Sequence, residues 1–394
     1  MITVSEAKKL ISEYAVPLRP TGMPLVHAAG LVLAEDVFSG KDIPAYAQSS
    51  MDGYALSFNG WKKYQNLTLD GIAAAGSDVQ FQLYPDKAIR IFTGAAVPEG
   101  ADTIVIQEKS RVADGILYIE DSELQQGANV RPMGSEIKAG ELALSKGSRL
   151  SPAAIGFLTG IGITEVMVYP PPVVSIIVTG NELQEPGQPL RHGQVYESNS
   201  YTLRAVLNQM NIRKITVHKS IDSLEILTNV LAKALEESDV VLLNGGISVG
   251  DYDFVLQATE NCGITKIFHK IKQKPGKPIY FGTKEQKLVF GLPGNPASVL
   301  TCFYEYVTVA MEKLFMSNST LKIIHVPLSE SFRKPAGLTH FLKGHCNGKT
   351  VTPLDAQESY RLSSFARANC LIIINEDVTE CQQGEIVEVH LLPE

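Results

Sequence analysis

Apolar residues at 4, 7, 10, 11 and 14 recur at helical spacing, and Thr3 with Glu6 forms a capping box ahead of them. Pro17 and Pro20 stop that helix. Between 43 and 131, short alternating stretches are broken by Gly53, Gly60, Gly71, Gly76, Gly94, Gly100, Gly115 and Gly127, which predicts a β-rich module. A helix is expected at 151–161, with Pro152 in its first turn, and Pro170-Pro171-Pro172 marks a linker. After the linker the pattern alternates. Strands are expected at 173–178, 214–218, 239–243, 266–269 and 288–290. Helices are expected at 198–210, from 224 with Asp222 as N-cap, at 253–261 and at 296–314. Such alternation implies a mainly parallel, doubly wound sheet with helices on both faces. From 321 the texture is β again, with Gly337, Gly344, Gly348 and Gly384 at turns and an apolar strand at 370–374, read as a small C-terminal β-barrel. The fold class is therefore α/β and β multidomain.

Composition narrows the function. With 394 residues the chain has room for two to four domains, and 44% hydrophobic with 20% charged residues is enough apolar content to bury their cores. A net charge of −7 argues against nucleic acid as the main partner. No apolar run approaches the ~20 residues of a membrane helix, and the amphipathic start, with Glu6, Lys8, Lys9 and Glu13, is unlike a signal peptide. Five cysteines, odd in number and without a C-x-x-C pair, read as reduced thiols in a cytoplasmic protein. H-E-x-x-H and P-loop motifs do not occur.

Ligands of an open parallel sheet bind beyond the carboxyl ends of its strands. Four such exits carry glycines, hydroxyls or carboxylates: 179–183, 219–222, 244–253 and 291–298. Gly245, Gly246 and Gly250 would let backbone N–H groups approach an anion, with the Ser248 hydroxyl as a further donor; a tight strand-to-helix turn explains the same glycines. Pro293, Gly294, Asn295 and Pro296 make a rigid loop in which Asn295 can cap the next helix. Glu182, Asp222 and Asp253 are hard oxygen ligands suited to Mg2+ beside a phosphate cradle. Lys270, Lys272, Lys274 and Lys277 form a local positive run around Pro275-Gly276, suited to an anionic substrate or else a solvated strand face. Asp52-Gly53 reads as a hairpin turn, and the stretch at 90–95 as another turn.

Taken in order, these segments resemble the molybdopterin molybdenumtransferase (MoeA) family, to which the E domain of gephyrin is related. The motifs are S-x-M-D-G-Y-A at 49–55, R-I-x-T-G-A at 90–95, N-V-R at 129–131, T-G-x-E-L at 179–183, G-G-x-S-V-G at 245–250, K-P-G-K-P at 274–278 and G-L-P-G-N-P at 291–296, with a weaker echo at 359–369. The resemblance implies an enzyme that takes adenylyl-molybdopterin and molybdate, cleaves the adenylate in a Mg2+-dependent step, and yields AMP and molybdenum cofactor. It implies an elongated homodimer with four domains per subunit: a discontinuous domain of 1–44 and 134–170, a β-rich module of 45–133, a molybdopterin-binding α/β domain of 171–320 and a β-barrel of 321–394. The cleft would lie between the α/β domain of one subunit and the Asp52 module of the other, and an adenylyltransferase would hand over the substrate.

Carried over position by position, Asp52, Glu182, Asp222 and Asp253 fall on catalytic positions, the last three also as metal ligands. Thr93, Lys270, Lys274, Pro293 and Pro296 fall on substrate-binding positions, and Gly245, Gly246, Ser248, Gly250, Gly294 and Asn295 join them as loop positions. Carboxylates would hold the metal at the phosphoanhydride, and lysines with loop amides would neutralise phosphate and molybdate. Two departures touch the metal. Asn181 stands where the family usually has Asp, and Glu136 where it has Asp; an amide brings no charge, so weaker metal binding is expected. Two other readings remain open: the α/β domain alone resembles molybdopterin adenylyltransferases, and relatives of gephyrin act as scaffolds. The extra β modules favour insertion over adenylylation, and the retained carboxylates disfavour a dead scaffold.

Overall fold

The computed structural model describes residues 1–246, 254–317 and 320–393. They form two compact units, Met1–Met23 with Ala28–Ala34 and Met167–Glu394, and Pro24–His27 with Glu35–Val166.

The first unit is organised by a six-stranded sheet. Its strands are Val174–Thr179 (β1), Ile215–Ser220 (β2), Val240–Asn244 (β3), Thr265–His269 (β4), Tyr280–Lys284 (β5) and Lys287–Leu292 (β6), in the spatial order β2-β1-β3-β6-β5-β4. The first four in that order run parallel, whereas β5 and β4 are antiparallel additions. Because side chains alternate across a strand, β1 and β3 feed two cores. Ile176, Val178, Val240 and Leu242 pack with Leu203 and Leu207 of helix Asn199–Gln209 (α1). Ile177, Val241 and Leu243 pack on the opposite face, with Leu227, Leu231 and Leu235 of helix Leu224–Glu237 (α2) and with Val255 and Ala258 of helix Val255–Asn261 (α3). Every residue of β1 and β3 is buried, as a strand covered on both faces requires.

Three expectations change. Strand β5 was not legible, since Gly282, Thr283 and Lys284 interrupt its apolar run; Tyr280 and Phe281 pack on opposite faces and pair it to β6. The helix expected at 296–314 is helix Pro296–Cys302 (α4), a wider π-turn Phe303–Val307 and helix Thr308–Leu314. All five π-turn residues are buried, Glu305 included. Asp222 does not cap α2: the N-cap position is Ser223, which makes no side-chain cap bond, and Asp222 is engaged elsewhere.

The N-terminal helix Val4–Tyr14 has the expected capping box and buries Ala7 and Ile11 against the first core. The C-terminal region is a barrel of strands Lys322–Pro327, Thr339–Cys346, Val351–Pro353, Cys370–Ile374 and Ile386–Leu391, closed by a bridge from Leu328 to Val351. Residues Gln273–Lys274 pair in parallel with its strand Thr339–Cys346, so this barrel borders the carboxyl rim of the α/β sheet.

The second unit holds a sheet of strands Gly53–Leu56, Leu67–Ala73, Lys87–Ile91, Thr103–Ile106, Ser110–Ala113 and Ile116–Ile119. Asp52-Gly53 is not a hairpin turn: Gly53 opens a strand flanked on both sides by partners, and a Cβ there would lie 2.0 Å from the Val105 carbonyl oxygen. Among the described residues no helix is long and apolar enough to cross a membrane.

Candidate active site

At the carboxyl rim of the sheet the strand ends are laced together by side chains. Thr179, last in β1, donates its hydroxyl to Asp222 Oδ1 at 2.8 Å. Asp222 and Asn181 exchange bonds, Asn181 N–H to Asp222 Oδ2 and Asp222 N–H to Asn181 Oδ1, both at 3.3 Å. The carboxylate expected to cap a helix thus fixes the loop after β1. Gly245 follows β3 in the left-handed region at φ 95°, and a Cβ there would sit 2.5 Å from the Thr179 carbonyl oxygen, so only glycine fits.

The loop after β6 is held from two sides. Asn244 Nδ2 donates to the Pro293 carbonyl at 2.9 Å, and Asn199 Nδ2 donates to the Gly294 carbonyl and to Asn244 Oδ1, both at 2.8 Å. From the barrel, Ser359 accepts from Asn295 Nδ2 at 2.8 Å, and its carbonyl accepts from the Ala297 N–H at 3.0 Å. Asn295 occupies the N-cap position of α4, but its amide serves Ser359 rather than the helix. Ser359 sits in a loop shaped by Lys343, whose ammonium donates to the carbonyls of Ala356, Glu358 and Arg361 at 2.7, 3.3 and 3.1 Å. Burial presses the Lys343 pKa down, and the nearly complete burial of the cation is offset by these three acceptors.

The turn 274–278 rests on Gln273, which is fully buried. Its Nε2 donates to the carbonyls of Pro275 and Gly276 at 3.0 and 3.2 Å, and its Oε1 accepts from the Tyr306 hydroxyl of the π-turn. Gly276 packs against Cys302: a Cβ there would lie 2.5 Å from its sulfur.

These walls enclose a cleft of about 1190 Å3. Of the residues singled out from sequence, Glu182, Lys274, Pro293, Gly294, Asn295 and Pro296 line it, and so does Lys277. Asp222, Gly245 and Gly246 stand at the same strand ends without lining it. Lys270 does not line it either; its backbone bonds to Ile2 and Ile279. Asp253, Ser248 and Gly250 lie outside the described residues. Among the described residues no three His, Cys, Asp or Glu side chains gather closely enough to hold a metal by themselves. The lining residues are of mixed charge, Lys274 and Lys277 with Glu182, Glu197 and Glu358, although the Glu197 carboxylate is occupied by the N–H and hydroxyl of Ser200.

Within the second unit, Asp52 and Thr93 form a constellation of their own. Asp52 Oδ1 accepts from the Thr93 N–H and hydroxyl, each at 2.8 Å. The backbone bond first, then the hydroxyl and the charge of Arg90, hold this carboxyl below the usual carboxylate range. Arg90 is fixed by the Gly53 carbonyl at 3.0 Å and Gln107 Oε1 at 2.6 Å, and its guanidinium lies against the rings of Tyr54 and Phe92.

Sequence reasoning missed Asn199, Gln273 and Lys343. A signal existed for one partner: Asn244 ends the otherwise apolar strand Val240–Asn244, where a polar group has to find partners.

Comparison with known proteins fits this arrangement. Residues 2–162 match the MoeA N-terminal region (domain I and II), 175–313 a probable molybdopterin binding domain, and 325–392 the MoeA C-terminal region (domain IV). The molybdopterin molybdenumtransferase of Haemophilus influenzae is 32% identical over 100% of both chains. That of Staphylococcus epidermidis is 32% identical over 99% of this chain and 95% of its own. A crystal structure of the molybdopterin biosynthesis MoeA protein of Pyrococcus horikoshii superposes with a TM-score of 0.86 at 28% identity, covering 100% of each chain. Matched in all three regions and along its whole length, the chain belongs to the MoeA family of molybdopterin molybdenumtransferases.

Proposed function

We propose that this protein inserts molybdenum from molybdate into molybdopterin, taking the adenylylated pterin and releasing AMP and molybdenum cofactor. The observation that carries this reading is the cleft itself. Lys274 and Lys277 bring positive charge to the rim where Glu182 and the Pro293–Pro296 loop meet, in a chain that matches molybdenumtransferases from end to end. An oxyanion and a phosphoanhydride both need their charge neutralised as the bond to the leaving phosphate breaks. The ammonium of Lys274 does this from a turn held by buried Gln273. Glu182 lies within reach of the same substrate and can orient a water. The N-terminal and C-terminal regions, absent from a lone molybdopterin-binding domain, support insertion rather than adenylylation. They also support a four-part organisation of 1–44 with 134–170, 45–133, 171–320 and 321–394.

A magnesium ion fits the donors present. It takes one or two carboxylates, retains waters and uses substrate phosphate. Among the described residues no hydrogen bond or ion pair occupies the Glu182 carboxylate, and Asp222 keeps spare lone pairs after its bonds to Thr179 and Asn181. When bound, the ion would neutralise phosphate charge. The neutral Asn181 withholds one charge from this set. Asn181→Asp is therefore expected to lower the magnesium concentration for half-maximal rate about tenfold, the lower end of the scale of a second-shell change. It is also expected to destabilise the metal-free protein, because two carboxylates would adjoin; a magnesium titration of the rate and of the melting temperature checks both.

The Asp52 constellation acts, in this proposal, on the cleft of a second copy in a homodimer. Its low carboxyl pKa keeps Asp52 ionised at neutral pH. Mixing Asp52→Ala with Glu182→Ala subunits should restore roughly a quarter of the wild-type rate, because half of randomly formed dimers are mixed and each holds one intact site of two. No recovery, with subunit exchange verified, would place both residues in a site made by one chain.

A further inference from the structure

The turn that carries Lys274 and Lys277 alternates anchors with free side chains. Gln273 and Gly276 are buried, whereas Lys274 and Lys277 are exposed and line the cleft. Neighbouring bonds settle which way the Gln273 amide faces. Its Nε2 donates to the carbonyls of Pro275 and Gly276 at 3.0 and 3.2 Å, with the Cys302 sulfur beside it at 3.6 Å. Its Oε1 therefore points away from the turn, and the donor that meets it is the Tyr306 hydroxyl. Turned round, the amide would set its oxygen against two carbonyl oxygens and leave them without a donor. The hydroxyl thus favours the one orientation that holds the turn. Tyr306 is fully buried and does not line the cleft. It belongs to the π-turn Phe303–Val307, in a helical stretch that begins at Pro296, a cleft residue. Wider turns of this kind gather at functional sites. Burial raises the Tyr306 pKa well above the usual tyrosine value, so the hydroxyl stays a donor at neutral pH.

We propose that Tyr306 is a positioning residue for the reaction: through the Gln273 amide it orders the 274–278 turn and so places Lys274 at the anionic substrate. The inference rests on the reading of the cleft given above. A lysine carries its charge on a flexible four-carbon stem, so where the ammonium can reach depends on the backbone that bears it. A buried amide is costly unless its donors and its acceptor are all met. Loss of the hydroxyl leaves Oε1 unmet, and the amide then has less reason to keep both protons on the turn.

The test is a double-mutant cycle on the full-length protein, read as turnover of adenylyl-molybdopterin and molybdate in the presence of magnesium. Tyr306→Phe removes only the hydroxyl. It should lower kcat/KM about tenfold, less than a full ångström of misplacement costs, with the loss in kcat and KM little changed. In a Lys274→Met background the same substitution should cost nothing further, because the group it positions is gone. A merely structural Tyr306 would lower the melting temperature and leave kcat/KM of the folded protein unchanged, or lower kcat/KM equally in both backgrounds; either result overturns the role. If Tyr306→Phe does not fold, Gln273→Met, which keeps the volume and removes the amide, takes its place with the same expected pattern. Activity lost in Lys274→Met and kept in Tyr306→Phe overturns this role alone. Wild type without turnover overturns molybdenum insertion as well.

Discussion

Glu305→Ala should lower the stability of the first unit by about 3–5 kcal/mol, the usual cost of removing one partner from a buried ion pair. Glu305 lies in the π-turn and is fully buried. Lys8 of the N-terminal helix reaches it at 2.5 Å, and His390 of the barrel meets it through Nδ1 at 2.7 Å while its Nε2 meets Glu388 at 2.9 Å. One carboxylate thus ties three elements together. Its removal leaves the buried Nδ1 of His390 without its partner, while Lys8, whose side chain is 29% exposed, loses its ion pair. Burial alone would raise the Glu305 pKa, but the His390 bond and the charges of Lys8 and His390 outweigh it, so the folded value is lowered. The sign follows: this stability is present above the unfolded carboxyl value, about 4.3, and is lost as pH falls through the lowered folded value. Calorimetric melting of wild type and variant between pH 7 and pH 3 checks this. A gap that is wide at neutral pH and closes in acid is expected; a variant as stable as wild type at pH 7 would show the triad to be dispensable.

Lys274→Met should reduce kcat/KM by about 10²–10³-fold, the loss found when one preorganised donor is withdrawn from developing charge. The thioether chain keeps most of the apolar stem and removes the ammonium. The turn should survive, because Gln273 holds it through the carbonyls of Pro275 and Gly276 rather than through Lys274. Lys272→Met makes the control. Unlike Lys270, which the resemblance places on a substrate-binding position, Lys272 has no assigned role; it sits in the same basic run and does not line the cleft, so its substitution should change the rate little. Equal losses in the two variants would mean that bulk positive charge, rather than one positioned cation, drives the reaction.

Much of this architecture was written in local pattern. The apolar runs of β1 and β3, the capping box at Thr3 and the turn glycines announce themselves, because each arises from chemistry within a few residues. The rim residues do not. Asp222 read as a helix cap because position 222 precedes an amphipathic run, yet its carboxylate is taken by Thr179 and Asn181, some forty residues earlier. Asn295 read as a cap for the same reason and is taken by Ser359. Asn199 and Lys343 carry no motif, since each acts by pairing with backbone carbonyls of a loop distant in sequence, and Gln273 holds the turn that follows it only because Tyr306, 33 residues on, fixes its other end. Glu182, Lys274 and the Pro293–Pro296 loop were legible as candidates because rigid glycine–proline loops and charges at strand exits stand out before the fold is known.

Incubation of the purified protein with adenylyl-molybdopterin, molybdate and magnesium, with AMP release and reconstitution of a molybdenum-free apoenzyme followed together, tests the proposed reaction most directly. Stoichiometric AMP and active molybdenum cofactor, both dependent on molybdate and both strongly reduced by Lys274→Met, are the expected result. Intact adenylyl-molybdopterin after prolonged incubation, or its net formation from molybdopterin and ATP, would contradict molybdenum insertion at this cleft.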